Sequence, residues 1–305
     1  MNLIVKGVVI YLLSTFTVYS CDICGGAGSS FSTGLLPSGK NHVFGFRTTM
    51  RWFNSYPAPD GHGYRGVSKQ YFTSSDIFGQ IKIGKRFQAQ LVLPFVVNKK
   101  TDSISTRIQG IGDVVAMGNF IFVDQTDSIE KKVRHVGTIG VGVKAPTGQY
   151  FKLGFEEVNM LPGTGSWDVI AALNYAIHFG KFGTQNESSY TFKTANKYLY
   201  RFGDGLSITQ LVFYKLEFRS NFKLIPQLGL NFAHNWMDKK NGVVSEDTFN
   251  GGNILNGQVN LIFQWNSFGI NLQTYMPIYQ GLNRGYVKQR FMFRLGLNYL
   301  LTSKK

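Results

Sequence analysis

Cys21-Asp22-Ile23-Cys24 is the tightest grouping of reactive side chains in the sequence. Two thiols two residues apart can close a disulfide, hold a soft metal or act as a redox pair, and an oxidising compartment favours the disulfide. They make only half of a tetrahedral site, and no second cysteine pair or histidine spacing completes it. No metal and no cofactor is therefore expected, with a metal-handling role for Cys21 and Cys24 kept as a lesser alternative. His42, His62, His135, His178 and His234 are scattered. Gly110-Ile111-Gly112-Asp113 has the composition of part of a phosphate loop, yet no helix follows to aim amides at a phosphate. No serine and histidine are arranged as a lipid hydrolase would need, so the sequence reads as a non-enzyme.

The remaining chemistry is that of isolated charges. The chain carries 32 Lys and Arg against 17 Asp and Glu, a formal charge of +15. These cations stand singly in apolar, alternating segments with no basic cluster or nucleic-acid motif, so nucleic acid is not the expected partner. Acidic lipid head groups, including lipopolysaccharide, and anions inside a pore fit the dispersed pattern better. At 15% aromatic and 16% charged, the chain is too aromatic to be disordered and too polar for a helical membrane bundle. Beyond the N-terminus nothing approaches the ~20 apolar residues of a spanning helix. Strands would have to carry such a chain across a membrane.

The elements that would do so follow a leader. Lys6 and the apolar run Gly7 to Leu13, softening toward Ser20, read as a secretory signal peptide over residues 1–20. Cleavage before Cys21 leaves either a disulfide or a lipidated Cys21. Residues 21–42 read as a periplasmic segment and 43–305 as the body of the fold. Segments of alternating apolar and polar residues lie near 43–54, 73–84, 86–97, 112–124, 135–146, 166–179, 181–194, 205–218, 222–236, 254–265, 267–278 and 289–301. Their length suits tilted membrane strands. Odd-numbered connections read as long (55–72, 98–111, 147–165, 195–204, 237–253 and 279–288), and most even-numbered ones as tight turns. With Trp and Phe gathered at strand ends, the pattern predicts an all-β, antiparallel up-and-down barrel of about twelve strands in the outer membrane. Pro94 and Pro226 predict bulges or strand ends, because each removes a ladder donor.

If the apolar parity faces lipid, the opposite parity lines the lumen. It carries Arg47, Arg51, Lys82, Lys144, Lys193, Lys215, Arg219, Lys223, Arg290 and Arg294 against four acids, Asp113, Asp168, Glu187 and Glu217. Pairing the last strand with the first is expected to bring Arg290 and Arg294 beside Arg51 and Arg47. Such a wall would line a lumen that favours anions, or else anchor inward loops in a plugged barrel.

Several motifs also carry a likeness. Cys21 to Gly25, Gly34-Leu35-Leu36-Pro37, Gly45-Phe46-Arg47, Gly110 to Asp113, Gly142 to Gly148, Gly163 to Ser166 with Asp168, and Tyr200 to Gly203 together resemble the outer-membrane barrels associated with phenol meta-pathway degradation, distantly like fatty-acid channels. The resemblance implies a barrel that takes up small solutes and names no solute. Relatives often place a third cysteine after Cys24-Gly25, where this chain has Gly26. The expected function is a channel or transporter for small solutes, with a non-conducting structural or docking barrel as the alternative.

Overall fold

The computed structural model describes residues 41–56, 67–101, 105–126, 132–150, 159–218, 221–244 and 251–302. The leader, Cys21 and Cys24 lie outside them. Twelve antiparallel strands cross the molecule: β1 (Asn41–Ser55), β2 (Ser68–Ile83), β3 (Phe87–Thr101), β4 in two pieces (Ser105–Ile111 and Val114–Asp124), β5 (Val133–Ala145), β6 (Asp168–Phe179), β7 (Phe182–Lys193), β8 (Gly205–Tyr214, resumed by Leu216–Glu217), β9 (Phe222–Asn235), β10 (Gly252–Trp265), β11 (Phe268–Leu282) and β12 (Val287–Thr302). Each pairs with its neighbours in sequence, and β12 pairs with β1. The sheet is thus a closed barrel that leaves no ladder group unpaired toward a membrane.

Side-chain parity splits inside from outside as the sequence predicts. On β3, Phe87, Leu91, Leu93 and Phe95 are exposed while Gln88 and Gln90 are buried. On β12, Leu295, Leu297 and Tyr299 face out and Arg294 and Asn298 face in. The exterior is therefore an apolar belt, and the barrel's polar and charged strand residues turn inward, where they share the lumen with apolar clusters. At the end with tight turns, Phe179, Phe182, Phe218, Trp265 and Phe268 are exposed; at the other, the loop end, Trp167 and Trp236 are. These two aromatic girdles bound the belt.

Two of the long connections expected from sequence are short. Residues 102–104 and 283–286 are all that separate β3 from β4 and β11 from β12, and β2 starts at Ser68 rather than near residue 73. Past the girdle the outward face meets water, so the apolar half of the alternation vanishes while the ladder continues. Strands were legible only where lipid demanded apolar residues.

Neither proline produces a bulge in its own strand. Pro94 lies within β3 and Pro226 within β9, each in unbroken register with one neighbour, Asp76 and Leu261 respectively. The missing donor shows on the other side. β4 is interrupted at Gly112 and Asp113 opposite Pro94, and β8 is interrupted at Lys215 near Pro226. A strand facing a proline has one ladder bond fewer, and both neighbours break there.

Candidate functional site

The interruption of β4 positions the first cluster. Freed from the ladder, Asp113 turns its carboxylate inward, where Oδ1 accepts from the Gly148 amide at 2.9 Å and Oδ2 from the Thr164 amide at 2.8 Å and the Thr164 hydroxyl at 2.7 Å. Lys144 Nζ lies 2.5 Å from Asp168 Oδ2, 3.4 Å from Asp113 Oδ2 and 2.6 Å from Thr164 Oγ1. Ser166 Oγ donates to Asp168 Oδ1 at 2.9 Å. The segments stack glycine on glycine: a Cβ on Gly148 would stand 2.7 Å from the Gly112 carbonyl carbon, and one on Gly163 would stand 2.7 Å from that of Gly148. No larger residue fits this approach. Three motifs far apart in sequence therefore converge on one buried knot, and Gly110 to Asp113 serves as its anchor, not as a phosphate loop.

The knot holds the β5–β6 connection over the lumen. Met160 is buried against Phe53, Phe72, Ile254, Leu282 and Val287, inward residues of β1, β2, β10, β11 and β12. Its carbonyl accepts from Asn98 Nδ2 at 2.9 Å. Among the described residues of the connection, the knot thus lies on the β5 side and Met160 seats on the opposite wall. Asn196 Nδ2 donates to the Thr164 carbonyl at 3.1 Å and ties a second knot to the first. In that second knot Asp238 accepts from the Gly203 amide at 2.7 Å and from the Tyr200 hydroxyl.

Beneath this cap lies a cavity of about 70 Å³ whose lining includes Arg51, Lys193, Arg294, Tyr275, Asn231 and Asn256. Three cations and no carboxylate are among its described lining residues. Arg294 is 3% exposed; its Nε donates to Thr49 Oγ1 and its Nη1 to Gln273 Oε1, both at 3.1 Å, and the guanidinium lies 5.8 Å from the Tyr275 ring centre. Arg51 Nε lies 3.3 Å from Met292 Sδ. The neutral partners Thr49, Gln273 and Met292 help to fix the two guanidinium planes.

Of the other residues singled out from sequence, Arg47 is buried in the lumen and pairs with Asp76, with Nη2 and Oδ2 2.8 Å apart. Asp76 was missed, although its parity on β2 is that of Lys82, which does lie on the lumenal side. Register places Thr49 opposite Arg294, so Arg47 and Arg51 flank it. Arg290 requires a correction. The register of β1 and β12 shifts between Trp52 and Phe53, pairing Trp52 with Phe291 and Phe53 with Gln289. Arg290 is the extra residue of that bulge; it is exposed and donates to the Tyr56 hydroxyl at 3.0 Å, outside the lumenal cluster. Lys223 is exposed at the turn end, 3.6 Å from Glu217, and Lys215 lies over the Phe213 ring at the break in β8. Neither joins the cavity.

No family model and no curated protein matches the sequence. Among solved structures, the fold is similar to an outer-membrane channel from Pseudomonas putida F1, with a TM-score of 0.66 and 14% identity over 90% of this chain and 99% of that one. It is also similar to the β domain of a Bordetella autotransporter, with a TM-score of 0.52 and 7% identity over 86% of this chain and 100% of that one. These likenesses show an outer-membrane type of barrel fold. Because they span proteins of two kinds, activity has to be argued from the lumen.

Proposed function

We propose that this chain is an outer-membrane channel that passes small solutes, favours anions and rests in a capped state. The reading is carried by the cavity under the cap, whose described lining residues include Arg51, Lys193 and Arg294 and no carboxylate. In a low-dielectric lumen such a trio repels cations and attracts small anions or the carboxylate of an organic solute. The volume admits a few waters or one small anion, so anything larger needs the cap to move. Likeness to a Pseudomonas channel supports conduction in general, and the apolar belt with its girdles supports an outer-membrane setting. In that setting the loop end faces outward and the turns face the periplasm.

The seated Met160 also supports the second reading, a barrel that conducts nothing and serves structurally. Liposomes loaded with KCl separate the two. With sodium nitrate outside, a channel exchanges chloride for nitrate faster than potassium for sodium when the purified protein is incorporated, and Asp113→Asn, which loosens the knot, raises both rates. Release no faster than from empty liposomes, for wild type and variant alike, establishes the structural reading.

A further inference from the structure

Below the cavity the inner wall is divided. One side is packed with the apolar cluster of Val43, Phe78, Val92, Val115, Met117 and Ile170, from β1 to β6. A second apolar cluster, Phe213, Ile225 and Ile262, fills the turn-end part of β8 to β10. Between them runs a seam of amides on β7, β9, β10, β11 and β12. Its hydrogen bonds have a direction: Gln258 Nε2 donates to Asn260 at 3.0 Å, Asn260 Nδ2 to Gln227 at 2.9 Å, Gln227 Nε2 to Gln185 at 3.5 Å, and Gln185 Nε2 to Glu187 at 2.6 Å. That relay leaves Gln258 Oε1, at its head, without a donor. Asn271 Nδ2 donates to Asn298 Oδ1 at 3.2 Å, leaving Asn271 Oδ1 and Asn298 Nδ2 without partners. All three residues are at least nine-tenths buried.

We infer that water and ions cross the lower lumen along this seam, with Gln258, Asn271 and Asn298 lining the path, and that the two apolar clusters keep the rest of the bore dry. The inference rests on the channel reading. A buried amide oxygen or nitrogen without a partner is costly when dry, and three on adjacent strands make the seam the part of the lumen that gains most from entering water. Gln258, Asn271 and Asn298 present amide acceptors and donors and carry no charge themselves, and the carboxylate of Glu187 closes the relay on β7. These three amides do not choose between signs, so selection rests with the arginines and lysine above. Gln258, Asn271 and Asn298 accordingly set conductance, whereas Arg51, Lys193 and Arg294 set ion preference.

Thiol accessibility tests the path without requiring current. In protein whose Cys21 and Cys24 are replaced by Ser, single cysteines are placed by Gln258→Cys, Asn271→Cys, Asn298→Cys, Val92→Cys and Val115→Cys, and folding is checked by heat-modifiable migration. An anionic methanethiosulfonate is added and modification is followed by intact mass. Cysteines at 258, 271 and 298 should react about tenfold faster than those at 92 and 115, the ratio that a dry penalty of this kind sets. Equal rates, the reverse order, or no reaction at any position overturn the inference. Labelling confined to the seam supports it even if bilayers show no current, so the channel reading can fail separately. Should the cysteine proteins not fold, the double variant Asn271→Leu with Asn298→Leu must lower conductance while leaving ion preference unchanged. Unchanged conductance would overturn the path.

Discussion

Arg290 and Arg294 are four residues apart on one strand, and simple alternation puts both in the lumen. One extra residue opposite Trp52 and Phe53 reverses the parity of everything before it, so Arg294 reaches the cavity and Arg290 does not. The two arginines therefore predict different behaviour. Arg294→Gln should lower the chloride-to-potassium permeability ratio, and Arg290→Gln should leave it at the wild-type value, both read from reversal potentials. A bulge is set by local twist and the partner strand, and no residue type in 287–293 announces it. Asp76 was readable, since the parity that places Lys82 places it too; its pairing with Arg47 depends on the register of β1 and β2, which the sequence leaves open. Asp113 and Asp168 are buried in the structure, and their shared lysine emerges only when loop and strands meet. Asp113→Asn should cost on the order of 3 kcal/mol, because it strands Lys144 beside a single carboxylate and weakens two amide bonds. Thermal unfolding in detergent would show this, and an unchanged midpoint would count against the knot.

At the scale of strands, the two-residue rhythm held wherever a belt of lipid requires apolar side chains outside. It faded at the loop end, where β3 runs on through Asn98 to Thr101 and β2, β11 and β12 extend by a few residues of mixed character. The prolines were visible as missing donors, but their effect appears in the neighbouring strands, a cross-strand consequence that single-segment reading does not contain. The parity itself has a direct test. Val259 is exposed on β10 next to buried Gln258 and Asn260. Val259→Arg should lower folding stability in vesicles by about 2–4 kcal/mol, the cost of a cation near the midplane on the lipid side. Ser189→Arg, whose side chain faces the cavity, should cost much less. Equal penalties would mean that inside and outside have been confused.

At the scale of the whole molecule, closure follows from alternation and an even strand number, whereas the cap does not. The connection 146–167 carries no periodicity in sequence, and the inward packing of its described residues depends on Asp113, three glycines and a hydrophobic seat for Met160 contributed by five other strands. Gly163→Val should prevent that seating, because its side chain would collide with the Gly148 backbone. The result should be more frequent openings in single-channel records, with ion preference unchanged because the cations lie below the cap. The central claim is that the capped cations govern what passes. It is tested most directly by the reversal potential of the purified protein in a planar bilayer under a KCl gradient, measured for wild type and for the triple variant Arg51→Gln, Lys193→Gln, Arg294→Gln. The account predicts a wild-type potential on the chloride side of zero that moves toward zero in the variant; a wild-type potential on the potassium side, or one the three substitutions leave in place, would contradict it.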